Sequence, residues 1–436
     1  MTRLRGHVAF VAGALSAVLL ASTVVHPAGP TSGSGRTLTA DCPVTPLPDT
    51  SGLPYRTDPG ARQHVDCAQS DGAPLHFDEL DDPPMASRAA DRSVDVVAHF
   101  YNDFGLDKTR RGAGGWIGWY DWQWNATDNT GDGISAVGHD PAREPLLGNY
   151  AGDDPRVLGW IAYWLASSGV QAVNLVDPGG FTTASFGGAA PDWREQWFDR
   201  TPNSAALDYV LAIGSSGGRA QIERRADELV RFYDEQPGAY SHERAEGTFA
   251  VVSTWDLEGV RGAFDAFNGH TKTDAFLVEL AGRFKAIGYD GVTVLARNGG
   301  LTARDAPDLL AKGVDVQFST YEGLYSTTPK ATTVEEYLER VDYSTAARFP
   351  NTTLGVFTSL ESAYPHPSGY RISGATPARF RRQLEAAAAA AAQQGLPQMI
   401  TVNNVSEWAE AGPGLIPNMQ DGFGYLEAIR TAEFPG

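Results

Sequence analysis

From residue 94 onward, short apolar runs rich in β-branched residues alternate with longer segments whose apolar positions recur at helical spacing. Runs of four to eight such residues, bounded by turn formers, read as strands, and the longer amphipathic segments read as helices. The pattern predicts strands over 94–101, 170–176, 207–213, 249–255, 291–296, 314–320, 353–359 and 399–403. It predicts helices over 154–168, 219–235, 273–287, 303–312, 334–347 and 377–394, with a short closing helix over 424–431. The segment 377–394 carries its own boundary signals: Thr376 as N-cap, Pro377 at the first helical position and Gly395 as the stop. Eight strands, mostly separated by helices, predict an α/β protein of the (β/α)8, or TIM, barrel type. A doubly wound open sheet is the alternative, but the glycine-rich turn it usually carries after its first strand is missing.

The chain before residue 93 has a different texture. Arg3 and Arg5 precede a charge-free apolar run from Val8 to Val25, which Pro27, Gly29 and Pro30 then close. This is the layout of an export signal over residues 1–28; an uncleaved N-terminal anchor is the rival, since the run is nearly long enough to span a bilayer. Either way the expectation is a secreted, extracellular protein. The residues before Cys42 (Leu38-Thr39-Ala40-Asp41) lack the small residue that lipoprotein processing requires there. Residues 29–92 read as a leader and an irregular extension rich in Pro, Asp and Gly. Cys42 and Cys67 are the two cysteines of the chain. In an oxidising compartment they most simply form one disulfide, and His64 and His76 lack zinc-finger spacing. The expected layout is thus a barrel over 93–436 with a disulfide-pinned extension before it.

Charge narrows the partners. A formal net charge of −19, with no Lys/Arg cluster, argues against nucleic acid or an anionic membrane surface. No His-x-x-x-His pair or acidic calcium loop stands out, and Asp128-Asn129-Thr130-Gly131-Asp132-Gly133 reads as turn-rich loop. Neither a metal nor a cofactor is expected. The expected species is a monomer with a carbohydrate partner, for the following reasons.

A barrel of this kind places its chemistry on the loops after the C-terminal ends of its strands. Those positions hold Tyr101, Asp103, Asp177, Asp256, Glu258, Asn298, Tyr321, Glu322, Glu361, Asn403 and Asn404, together with Glu407 and Glu410. The long loop after the first predicted strand carries Trp116, Trp119, Tyr120, Trp122 and Trp124 among glycines and polar residues. Indole surface must be buried or used. Packing onto the barrel is the ordinary use, but flat aromatic faces beside Asp and Asn also suit pyranose rings. Glu407-Trp408-Ala409-Glu410 is the most compact acid pair in the chain. Residues three apart on one turn have Cβ atoms roughly 5–6 Å apart. A retaining glycosidase holds its two carboxyls roughly 5–5.5 Å apart. A solvated acidic pair on a surface helix is the plainer alternative.

Several stretches resemble glycoside hydrolase family 99, the endo-α-mannosidases, and the related WbsX-like domain. His99-Phe100-Tyr101 resembles that group's His/Tyr-Tyr-Pro opening, with Asn102 in place of the proline. Pro145-Leu146-Leu147-Gly148-Asn149-Tyr150 followed by Asp153-Asp154-Pro155-Arg156-Val157 resembles its Pro-x-x-Gly-x-Tyr and Asp-Pro-x-Val stretch. Ser168-Gly169-Val170-Gln171-Ala172-Val173 is similar to its Ala-Gly-Ile-Asp strand start, Glu407-Trp408-Ala409-Glu410 to its Glu-Trp-x-Glu, and Gly424-Tyr425-Leu426-Glu427-Ala428 to its closing helix. The family's Asn before the first Glu is Ser406 here, and Ala411-Gly412 follow the second where the family has Gly. The resemblance implies a retaining glycoside hydrolase acting on an α-linked polysaccharide. It makes Glu410 the acid/base that protonates the leaving oxygen and then activates water. It makes Glu407 the base that deprotonates the sugar 2-hydroxyl, so that this oxygen attacks the anomeric carbon. Expected substrate contacts are Tyr101, Trp116, Trp119, Trp122, Tyr150, Asp177, Asp256, Glu322, Asn404 and Trp408. Two other readings stay open: a non-catalytic carbohydrate-binding or cell-wall protein, and a two-carboxylate glycosidase drawing its nucleophile from Asp256 or Glu361.

Overall fold

A computed structural model describes residues 82–89, 92–100, 104–105, 117–118, 155–175, 201–213, 219–257, 272–298, 306–319, 333–346, 352–359, 372–395, 399–406, 414–418 and 420–435. The chain divides into Met1–Ala40 and Asp41–Gly436, and all described residues belong to the second unit. Cys42 and Cys67, and with them the expected disulfide, lie outside the described residues, as does the apolar run 8–25.

In chain order the elements begin with β1 (Asp95–Phe100), β2 (Phe104–Gly105), β3 (Ile117–Gly118), α1 (Pro155–Ser168), β4 (Ala172–Leu175) and β5 (Asp208–Leu211). They continue with α2 (Arg219–Glu235), β6 (Ser241–Arg244), β7 (Gly247–Asp256), α3 (Lys272–Ala286), β8 (Gly291–Asn298), α4 (Ala306–Leu310) and β9 (Val314–Ser319). The last are α5 (Val334–Arg340), α6 (Tyr343–Ala346), β10 (Thr352–Thr353), β11 (Gly355–Phe357), α7 (Pro377–Gln394), β12 (Met399–Asn403) and α8 (Gly424–Thr431). Every predicted strand and helix is present. Thr376 accepts a hydrogen bond from Arg379 N at 3.3 Å, and Gly395 closes α7 at φ 63°, as its sequence signals require.

Three details differ from the expectation. The predicted helix 334–347 is broken, because Val341 is extended (ψ 130°) between α5 and α6. The helix predicted from 303 begins at Ala306, with Pro307 in its first turn, where its missing N–H costs nothing. The unpredicted strand β6 is a polar run, Ser-His-Glu-Arg, that folds back antiparallel on β7 with Arg244 opposite Gly247. It lacks the apolar alternation that marks a strand, so only the hairpin reveals it.

The fold is α/β, built on parallel strands. One five-stranded sheet has the order β11-β12-β1-β4-β5, and another has β10-β9-β8-β7-β6. All neighbours pair in parallel except β6 with β7. The sheets meet at both margins. Ala212, just past β5, bridges Ser253 of β7, and Ile213 N donates to Ser253 O at 2.8 Å. At the other margin β10 pairs with β9 while β11, two residues on, pairs with β12, and Thr401 N donates to Leu354 O between them at 3.0 Å.

Parallel strands covered on both faces read as nearly continuous apolar runs, and the period of two then sorts residues between two cores. Val96, Ala98, Val173, Leu175, Val252, Val294 and Val402 pack in the large core that includes the helices. There α1 contributes Trp160 and Trp164, the latter edge-on to Phe423 at 5.7 Å. The alternate residues Val97, Ala172, Val210, Val251, Leu295 and Met399, with Tyr240, form a separate cluster that draws on six parallel strands and no helix. They join the two sheets in one apolar cluster.

Toward the N-terminal ends of β7, β8 and β9 the same inward parity carries a polar network. His242 Nε2 meets Thr293 Oγ1 at 2.8 Å, and Thr293 Oγ1 donates to Asp315 Oδ2 at 3.2 Å. Asp315 also accepts from Gln317 Nε2 at 2.7 Å and forms an ion pair with Arg244. Burial raises the Asp315 carboxyl above the usual range, against the pull of Arg244. Burial, seconded by the Arg244 guanidinium, pushes the His242 imidazole down to about 4. His242 therefore stays neutral in the folded chain down to about pH 4, while the unfolded chain protonates near 6.5. Between those values the unfolded state binds more protons, so stability falls as pH falls; the loss amounts to about 3 kcal/mol by pH 4. Asp315 acts in the opposite sense, since its protonation relieves a buried charge. We expect His242→Gln, which keeps a partner for Thr293, to flatten the fall in urea midpoint between pH 6.5 and 4 relative to wild type. Equal slopes for the two proteins would remove His242 from the acid response.

Candidate functional site

Because the strands of both sheets run parallel, their C-terminal ends share one margin. Following the inward parity of the apolar layer one step toward that margin gives His99 after Val97, Asn174 after Ala172, Ser253 after Val251 and Asn403 after Thr401. All four are at least nine-tenths buried. His99 and Asn174 are register partners on adjacent strands, and Asn174 Nδ2 lies 2.9 Å from His99 Nδ1. Ser253 Oγ donates to Asn174 Oδ1 at 2.7 Å. This second bond runs from β7 to β4, passing over β5, so it crosses the enclosed space. With Oδ1 engaged by Ser253, Nδ2 is the amide atom turned to His99. Nδ1 of His99 is thus the acceptor, and its ring hydrogen sits on Nε2.

Asn403 ends β12 on the same parity, 2% exposed, and its backbone carbonyl accepts from Thr358 N at 2.8 Å. Among the described residues its side-chain Oδ1 has no hydrogen-bond partner. Beyond it, Asn404, Val405 and Ser406 are fully buried. Val405 N donates to His99 O at 2.8 Å, which ties this stretch to β1. The chain returns at Gly414, where Leu415 N donates to Asn404 O at 3.0 Å and Ile416 N to Val405 O at 3.2 Å. A Cβ at Gly414 would meet Val405 O at 2.2 Å and Asn404 Oδ1 at 2.7 Å, so only glycine permits this approach. Residues 404–405 and 414–416 are therefore held beside each other at the C-terminal end of β12, on either side of residues 407–413 in the sequence.

Of the residues predicted for the site, Asn404 is placed: it is buried directly after β12, at the foot of that segment. Asp256 is the last residue of β7, in register with Asn298, and its side chain is outside the description. Glu407, Glu410, Tyr101, Trp116, Trp119, Trp122, Tyr150, Asp177, Glu322 and Trp408 lie outside the described residues, as does Glu361. In the sequence Tyr101 directly follows β1, Asp177 follows β4 by two residues, and Glu322 follows β9 by three. Among the described residues no group of three His, Cys, Asp or Glu side chains is placed to hold a metal ion.

His99, Asn174, Ser253 and Asn403 were not among the predicted site residues. The signal for them was present but weak: each is a polar residue in the C-terminal half of a largely apolar strand, on the parity of the inner layer.

No protein-family model matches the chain, and no curated protein matches it. Solved structures similar to it include a glycoside hydrolase family 99 endo-α-mannosidase from Bacteroides thetaiotaomicron, at 14% identity and TM-score 0.44, covering 77% of this chain and 95% of that one. A family 128 (subgroup I) endo-β-1,3-glucanase from Amycolatopsis mediterranei follows, at 15% identity and TM-score 0.33, covering 62% and 93%. A D-allulose 3-epimerase from Methylomonas sp. has 10% identity and TM-score 0.32, covering 80% and 97%. The first belongs to the family that the sequence motifs resemble. At these identities and scores no residue role passes from them to this chain.

The close approach at Gly414 can be tested with a matched pair of substitutions. Gly414→Ala forces backbone apart at the foot of the 407–413 segment and is expected to cost about 1–3 kcal/mol of stability. Gly282→Ala, on α3 with nothing within 4 Å of the added carbon, is expected to gain roughly 0.5–1 kcal/mol. Urea unfolding midpoints of the two variants check both signs.

Proposed function

We propose that the protein is an exported, retaining glycoside hydrolase that cleaves an α-linked polysaccharide with Glu410 as acid/base and Glu407 as the base assisting the sugar 2-hydroxyl. The observation that carries this reading is the anchoring of the acid segment. The residues on either side of 407–413 are held at the C-terminal end of β12, next to the polar layer of His99, Asn174, Ser253 and Asn403. This supports the reading because parallel α/β enzymes do their chemistry at that end of the strands. The neutral, hydroxyl- and amide-rich character of the layer suits a polyol better than a charged ligand.

The same reading takes the two sheets as halves of one (β/α)8 barrel. Its support is the pair of margin contacts between them and the count of eight parallel strands that results when Thr352–Phe357 is taken as one strand. Residues 1–28 direct export in this reading, and the mature chain acts as a monomer without a cofactor.

In the proposed reaction Glu410 gives its proton to the leaving glycosidic oxygen as the C1–O bond breaks. Glu407 takes the 2-hydroxyl proton while that oxygen bonds to C1 and closes a three-membered ring. Glu410, now ionised, takes a proton from water as the water oxygen bonds to C1 and the ring opens. Glu407 returns a proton to O2. The first step needs a neutral acid beside an anion, and the neighbouring charge together with an apolar wall supplies the raised pKa.

Incubating the mature protein with α-mannan and α-glucan panels tests the reading. Glu410→Gln and Glu407→Gln are each expected to reduce oligosaccharide release on the order of 10²- to 10⁴-fold. Release unchanged by Glu410→Gln would remove it as the acid. Full activity of Glu407→Gln would move the nucleophile to another carboxylate such as Asp256 or Glu361. Binding without any release by the wild type would make the protein a carbohydrate-binding barrel.

A further inference from the structure

The polar layer holds one group that the proposed reaction does not use. Asn403 is four residues before Glu407, on the inward parity of β12, and its buried Oδ1 accepts no hydrogen bond among the described residues. Burying an amide carbonyl without a partner is costly, and a hydroxyl that meets it there offsets the cost. Its contacts with Thr358 at the strand margin are made by the backbone carbonyl, not by the side chain.

The surroundings define the ligand chemistry. On the neighbouring strand, Ala98 of β1 pairs with Val402, and the next residue is His99, whose ring is held by Asn174 and, through it, by Ser253. Carbonyl acceptor and imidazole wall are thus set side by side by rigid strands, without a carboxylate or guanidinium among the described members of the layer. A cation would find no compensating charge there, and a carboxylate would meet a bare acceptor. A hydroxyl satisfies the carbonyl with its own hydrogen and keeps lone pairs for neighbouring donors.

We propose that Asn403 is a sugar-binding residue, its side-chain carbonyl accepting a hydrogen bond from a hydroxyl of the pyranose on which the acid pair acts. This rests on the glycosidase reading, and the test separates the two. Affinity electrophoresis of Glu410→Gln through gels containing α-mannan or α-glucan supplies the binding reference. Adding Asn403→Leu, similar in shape but without the carbonyl, should weaken retardation about tenfold while the melting temperature stays level or rises. In the otherwise wild-type enzyme the same change should raise KM by a similar factor with kcat nearly constant. Asn403→Asp, which retains an acceptor oxygen, should recover most of the retardation. A lowered melting temperature with unchanged retardation would make Asn403 a scaffold residue and overturn the proposal. Should the leucine variant not fold, Asn403→Ser, too short to reach the same hydroxyl, decides by the same gels: weakened retardation sustains the proposal and unchanged retardation overturns it. Glu410→Gln that is retarded in neither gel, from a wild type that releases no sugar, would overturn the glycosidase reading and this inference with it.

Discussion

A strand covered on both faces must send alternate side chains into two different environments, and everything else in this molecule follows from that constraint. One parity of each parallel strand packs with the helices. The other enters the space between the sheets, where Val97, Ala172, Val210, Val251, Leu295 and Met399 make an apolar layer. Two polar assemblies share its parity. Toward the N-terminal strand ends lies the network of His242, Thr293, Asp315, Gln317 and Arg244. Toward the C-terminal ends lies the layer of His99, Asn174, Ser253 and Asn403.

The two assemblies differ in how completely they are satisfied. Asp315 at the N-terminal end has three partners, which is how a buried carboxylate is tolerated. It behaves as a structural plug, sealed from one side by the β6 hairpin that delivers His242 and Arg244. The C-terminal layer is ordered by the Ser253–Asn174–His99 chain but keeps an open acceptor at Asn403. An interior polar group held without a protein partner is tolerable where a ligand or solvent meets it. The contrast gives the two ends of the same interior different roles, one in stability and one in recognition.

The acid pair gains its meaning from this frame. Two carboxylates three residues apart occur on many surface helices. What distinguishes Glu407 and Glu410 in the sequence is what flanks them: Val405 is bonded to β1, Leu415 and Ile416 are bonded back to Asn404 and Val405, and Gly414 makes an approach that only glycine allows.

Much of the fold was legible in the sequence because its signals are local. The β-branched runs, the Thr376-Pro377 start and the Gly395 stop of α7 each depend on neighbours a few residues away, and each element appears where they place it. Strand β6 was not legible, since a polar Ser-His-Glu-Arg run becomes a strand only by pairing with β7. The Glu407 and Glu410 pair could be singled out by its spacing and by the family it resembles. Asn403 could be placed only as one of several polar residues at a strand end, and His99, Asn174 and Ser253 could not be singled out as a set, because a polar residue in an apolar strand has no meaning until its partners are known. Those partners lie 75 and 79 residues apart for the His99–Asn174 and Asn174–Ser253 bonds. The sequence by itself determined the eight apolar strands and the helices, their order and the candidate acids. Only the tertiary structure decided which polar side chains share the interior, because that depends on strand register and on which faces the sheets turn toward each other.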